Sequence, residues 1–220
     1  AVVAIRGGDR PQAQSAEQQA LAHLRQAREQ VDKLQQKTEQ EQNRRERQEL
    51  RKIYEQLADQ QEKLRSDTEP FEPVERIGQR QRAVLRELAG RQSEIRLKAG
   101  DLAQQSEKTL IFRHLHERID QMAGSAAESL RSGKVVRSTL GEQQQIAQAL
   151  RAMAEALKEE QSKSDFADRQ AGASGGGGVQ PPPLIPPIAE LKLLRSLQQE
   201  VHHATEQAGG EGHLEVDGQV

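Results

Sequence analysis

The chain has 220 residues, 34% hydrophobic, 30% charged and 2% aromatic, with no cysteine or tryptophan and a formal net charge of −2. Ordinary globular domains are roughly 45–50% apolar, so this composition argues against a large compact core, and the near-neutral charge argues against a dedicated nucleic-acid binder. The lack of cysteine removes disulfides, thiolate metal sites and a cysteine nucleophile, and no run reaches the roughly 18 apolar residues of a membrane span.

Ala, Gln, Glu, Leu, Lys and Arg dominate, and all favour helix. Residues 1–14 read as a flexible start, broken by Gly7-Gly8 and Pro11. The opening Ala1-Val2-Val3-Ala4-Ile5 carries no Met. It reads either as a processed end whose leader has been removed or as an imposed boundary. Ser15 with Gln18 has the form of a capping box, predicting a long coiled-coil helix over 15–67. Leu24, Val31 and Thr38 are seven apart, with Ala27 and Leu34 between them. A second seam follows as Leu50, Ile53, Leu57 and Leu64, out of phase with the first. Between the two, residues 39–49 hold no apolar side chain, which leaves a break near Asn43 as the alternative to one helix of about 75 Å. Glu29 with Lys33, Glu41 with Arg45, and Asp59 with Lys63 are spaced to support the helix as surface pairs.

Pro70 and Pro73 stop this helix, and Pro73 suits the first turn of the next. A three-helix region is expected over 73–161. Its first stripe is Ile77, Val84, Leu88 and Ile95, with Gly100-Asp101 as the joint to a second helix. The second stripe is Leu110, Phe112, Leu115, Ile119, Met122 and Leu130, ending at Gly133. Thr139 with Glu142 caps a third helix striped by Ile146, Leu150, Met153 and Leu157. The short joint at Gly133 makes the last two an antiparallel hairpin. Residues 162–186 are a Gly/Pro-rich linker, with glycine at every position from Gly175 to Gly178. Residues 187–207 form a C-terminal amphipathic docking helix, and 208–220 a disordered tail. The docking face is Leu184, Ile185, Ile188, Leu191, Leu194, Leu197 and Val201, with the prolines before it as a stiff lead-in.

No catalytic set stands out. The Gly175–Gly178 run lacks the Lys-Ser/Thr of a phosphate loop, and no Gly-x-Ser-x-Gly elbow occurs. His114 and His116 are two apart and diverge on a helix. His202 and Glu206 share a face but lack a third ligand, so no metal or other cofactor is expected and these histidines read as surface or packing residues. Arg44, Arg45, Arg47 and Arg51 are interleaved with Glu41, Glu46 and Glu49, as on a solvated helix face. Aromatic residues for base stacking are nearly missing, so no nucleic-acid partner is expected.

The run from Pro182 through Leu184-Ile185-Pro186-Pro187-Ile188-Ala189-Glu190-Leu191-Lys192-Leu193-Leu194-Arg195, after the glycines, resembles the C-terminal signature of uncharacterised helical coiled-coil proteins of planctomycete-type bacteria. Ile53-Tyr54-Glu55 and His116-Glu117-Arg118-Ile119-Asp120-Gln121-Met122 are similar too, although the aromatic residue implied after Asp120 is missing. The resemblance spans most of residues 20–205. It implies export and a periplasmic or cell-envelope location, as against a cytoplasmic one, and brings no activity and no functional residues. The expectation is an elongated all-α, non-enzymatic scaffold or spacer acting through helix–helix contacts. Its seams are met by the chain's own helices, by a second copy in a homo-oligomer, or by another protein. The alternatives are a regulatory module whose C-terminal cassette captures a partner protein and, behind it, a cytoplasmic coiled-coil adaptor on nucleic acid.

Overall fold

In the computed structural model, residues 10–72, 77–106, 108–158 and 183–214 are described. The fold is all-α: five α-helices, and no strand among the described residues. They are α1 (Arg10–Thr68), α2 (Gln79–Gln105), α3 (Leu110–Ser132), α4 (Arg137–Ala156) and α5 (Pro187–Leu214), with a 3₁₀ turn at Glu69–Phe71. Residues 1–9 of the expected flexible start, 162–182 of the expected linker, the expected helix start at Pro73, and the tail from 215 on lie outside the described residues.

Four boundaries differ from those expected. α1 starts at Arg10, placing Ser15 inside the helix; Pro11 falls in the first turn, where its missing N–H costs nothing. As expected, α1 runs as one helix past Asn43 rather than breaking there, since the polar stretch 39–49 holds strong helix formers and no proline or glycine. Gly100-Asp101 is no joint. α2 continues through it because Ala99 and Leu102 on either side are buried, which outweighs the roughly 1 kcal/mol of an exposed glycine. Thr139 is not a cap: α4 starts at Arg137, and Thr139 is turned into the core. α5 also carries on beyond residue 207 to Leu214, with no proline after Pro187 to stop it.

The stop read at the end of α3 acts as expected. Gly133 closes α3 in the left-handed region (φ 72°), its N–H bonding Leu130 O and the Lys134 N–H bonding Ser129 O. This pair of bonds is the Schellman arrangement, which needs a residue tolerant of positive φ. At the start of α2, Gln81 Oε1 accepts from the Gly78 N–H at 2.9 Å, satisfying a backbone donor outside the helical ladder.

The chain divides into two compact units, the first holding residues up to Arg45 and the second taking up the chain from Glu46. In the second unit, buried positions repeat every 3 and 4 residues on four helices. They are Leu50, Tyr54, Leu57, Gln61, Leu64 and Thr68 on α1, and Leu85, Leu88, Gln92, Ile95, Ala99 and Leu102 on α2. α3 supplies Phe112, His116, Ile119, Ala123, Ala126 and Leu130, and α4 with its C-cap Leu157 supplies Thr139, Gln143, Ile146, Leu150, Met153 and Leu157. This is the knobs-into-holes spacing of a four-helix bundle. The cross-links fix its directions. Gln61 meets Gln92 and Asp67 meets Arg91, Arg96 meets Asp120 and Ser93 meets Arg131, and Arg118 meets Gln145 and Ser125 meets Glu142, so each helix is antiparallel to the next. Thr68 meets Gln143, which closes α4 back onto α1.

Two stripes differ from expectation by one position. Val84 and Ile53 are exposed, while Leu85 and Tyr54 beside them are buried, because the 3/4 repeat set by the neighbouring helix selects the adjacent residue. Leu110 is likewise exposed at the start of α3, and Met122 only half-buried.

Candidate functional site

Two kinds of feature carry functional meaning: polar groups sealed inside the bundle, and apolar side chains left outside it. Gln61 and Gln92 form a reciprocal amide pair, Nε2 of each donating to Oε1 of the other at 3.1 and 2.8 Å. Gln143 Nε2 donates to Gln92 Oε1 at 3.2 Å and to Thr68 Oγ1 at 3.3 Å, and Thr68 Oγ1 donates to Leu64 O at 2.8 Å. All four side chains are buried, and Gln143 Oε1 has no partner. This layer separates two apolar clusters, one around Leu57, Phe112, Ile119 and Leu150, the other around Leu64, Leu88, Ile95 and Leu130. A layer of this kind fixes helix register, since sliding one helix would strand several amides at once.

Deeper in the first cluster, Tyr54 Oη lies 2.8 Å from His116 Nε2, with Phe112 tilted against the Tyr54 ring. Burial pushes the Tyr54 phenol up, and pulls His116 down to about 4 from an ordinary 6.5. A charged imidazolium there would carry a second N–H with nothing to receive it, because Nδ1 has no partner. His114, two positions earlier, is exposed. His202 Nε2 and Glu206 Oε1 lie 3.4 Å apart on the surface of α5. Among the described residues, no three His, Asp or Glu side chains cluster as metal ligands, and no helix is long and apolar enough to cross a membrane.

The expected coiled-coil seam divides. Leu50, Leu57 and Leu64 enter the bundle core, and Ile53 does not. Leu24, Val31 and Leu34 are 67%, 60% and 65% exposed, and Leu21 beside them is exposed as well. The expected docking face divides too. Ile185, Ala189 and Leu193 are buried and Leu184 and Leu197 pack against them, but Ile188, Leu191, Leu194 and Val201 remain exposed. The face that docks therefore follows a spacing of four from Ile185. Ala189 joins it because a small side chain permits close helix approach, a role that apolar counting underrates.

α5 lies antiparallel to α4, held at one end by Lys192 Nζ donating to Lys158 O (3.3 Å). At the other end Arg118 bridges Gln145 (3.0 Å) and Glu200 (3.1 Å). A cleft of about 200 Å³ remains between α3, α4 and α5, with Leu115, Arg118, Ala149 and Leu193 among its walls.

Sequence reading missed the glutamine layer and the Tyr54–His116 bond. The available signal was the second line of the seven-residue repeat. Tyr54, Gln61 and Thr68 sit four places after Leu50, Leu57 and Leu64, in the other half of the same seam.

No protein-family model, curated protein or solved structure matches the chain.

Proposed function

We propose that the protein is a non-enzymatic helical scaffold or spacer of the bacterial envelope, working through helix–helix contacts. One observation carries this reading: α1 presents Leu21, Leu24, Val31 and Leu34 to solvent at 3/4 spacing, on a helix whose later residues enter their own core. A stripe of that kind is too narrow to stabilise a helix without a partner face. The envelope location is supported by the resemblance of residues 182–195 to exported helical proteins. The test is an affinity capture from envelope extract with the intact chain and with Leu24→Glu/Val31→Glu. Loss of the same captured species with the variant, at unchanged bundle melting, is the expected result. Identical capture by both chains would refute the role of the stripe.

A second reading, a regulatory module that captures a partner through its C-terminal cassette, is favoured by the exposed side of α5. It is limited by Ile185, Ala189 and Leu193, which belong to the bundle core. Removing residues 183–214 should lower the bundle's melting temperature as well as any binding; unchanged melting would favour the free-cassette form.

A further inference from the structure

α5 is apolar on two sides. Ile185, Ala189, Leu193 and Leu197 dock on α3 and α4, while Leu191, Leu194 and Val201 point away, 59%, 43% and 66% exposed, with Ile188 beside them. A helix with apolar residues on both sides is expected to be covered on both. On the outer side the spacing is that of a two-stranded seam: Leu191, Leu194, Gln198, Val201 and Thr205 fall at 3, 4, 3 and 4. In such a seam the flanking positions decide the partner. Glu190 precedes the first core position and Arg195 follows the second, five residues on. In a parallel pair of identical helices these two meet across the interface, and symmetry forms the pair twice. Neither has an ion-pair partner among the described residues. Gln198, at a core position between leucine and valine, is the kind of polar residue that sets register in a parallel pair.

The N-terminal stripe lacks this feature. With Leu24 and Val31 at one core position and Ala27 and Leu34 at the other, the flanks are His23, Arg28, Gln30, Gln35 and Lys37, with no acid among them. Two copies paired there in parallel would set His23 against Arg28 and gain nothing at the rest.

We infer that the outer face of α5 is a homodimer interface, in which two copies pair their α5 helices in parallel through Leu191, Leu194 and Val201. The inference rests on the helix-contact reading above but uses a different face. Because α5 is already held as a helix by its own bundle, pairing does not have to nucleate it. The seam is short, so the dimer is weak and concentration-dependent.

Sedimentation equilibrium over a wide concentration range tests this. The intact chain should pass from monomer to dimer. Glu190→Arg or Arg195→Glu alone should raise the dimer Kd about fivefold or more, since each reversal turns two attractions into repulsions, and the double swap should restore it. Leu191→Glu/Leu194→Glu should abolish the dimer without lowering helical content. Because the chain holds no cysteine, Gln198→Cys should oxidise to a covalent dimer in a parallel pairing. A strictly monomeric intact chain, reversals without effect, no rescue by the swap, or no cross-link would each overturn the inference. If dimerisation is instead lost with Leu24→Glu/Val31→Glu, the interface lies on the N-terminal stripe. If the chain is monomeric yet still captures its envelope partner, the homodimer falls and the scaffold reading stands.

Discussion

Two stretches of α1 follow the same seven-residue spacing and come to different ends. Leu50, Tyr54, Leu57, Gln61, Leu64 and Thr68 are all buried, whereas Leu24, Val31 and Leu34 are exposed. The difference lies in what each seam holds. The later one carries Leu50, Tyr54, Leu57 and Leu64, large side chains, together with Gln61 and Thr68, which find glutamine amide partners on α2 and α4. The earlier one alternates Ala27 with larger residues and ends at Thr38, whose hydroxyl turns back to Leu34 O. Spacing makes a helix able to pair; side-chain volume and matched polar groups determine with what.

The largest contrast is expected from truncating the two seams. Leu57→Ala should destabilise the bundle by about 2–5 kcal/mol, and Leu24→Ala by about 0.5 kcal/mol or less, both read by denaturant titration. Comparable losses at the two sites would erase the distinction. Next comes pH. The folded pKa of His116, about 4, lies below its unfolded value of 6.5, so the unfolded chain binds the extra proton. The stabilising effect is complete above pH 6.5 and is lost as the pH falls toward 4, by about 3 kcal/mol. His116→Gln, which keeps a neutral partner for Tyr54, should flatten that slope.

The glutamine layer comes third. Gln92→Ala takes both bonds of the amide pair from Gln61 and one of two acceptors from Gln143, and should cost about 1–3 kcal/mol. Replacing Gln61, Gln92 and Gln143 together by leucine should cost less than the single change and broaden the side-chain NMR signals as register loosens. A triple variant less stable than Gln92→Ala would contradict the register role. Smallest is the surface pair of Arg96 Nε and Asp120 Oδ1 at 2.6 Å, with Arg96 Nη2 and Asp120 Oδ2 at 2.8 Å. Arg96 holds the Asp120 carboxyl below its usual range, yet both groups are well exposed, so Asp120→Asn should cost about 1 kcal/mol at most.

The helical class, the turn at Gly133 and the stripe Ile146, Leu150, Met153 and Leu157 were legible because apolar spacing and one glycine encode them directly. The polar half of the α1 seam was not. Hydrophobic periodicity passes over glutamine and threonine, and only a partner helix reveals that Gln61, Gln92 and Gln143 bond one another. Register was ambiguous wherever apolar residues flank the true stripe. Val84 beside Leu85, and Ile188, Leu191 and Leu194 around Ala189 and Leu193, are the cases in point. On α5 that ambiguity reflects apolar residues on two sides, one of which the described residues cover.

α1 is packed from Leu50 on and solvent-exposed at Leu24, Val31 and Leu34 before it. Amide hydrogen exchange, resolved along α1 in dilute solution, addresses this directly. Protection near the global unfolding limit is predicted for residues 50–68, with exchange faster by orders of magnitude over 14–45. Equal protection along the whole helix would contradict it.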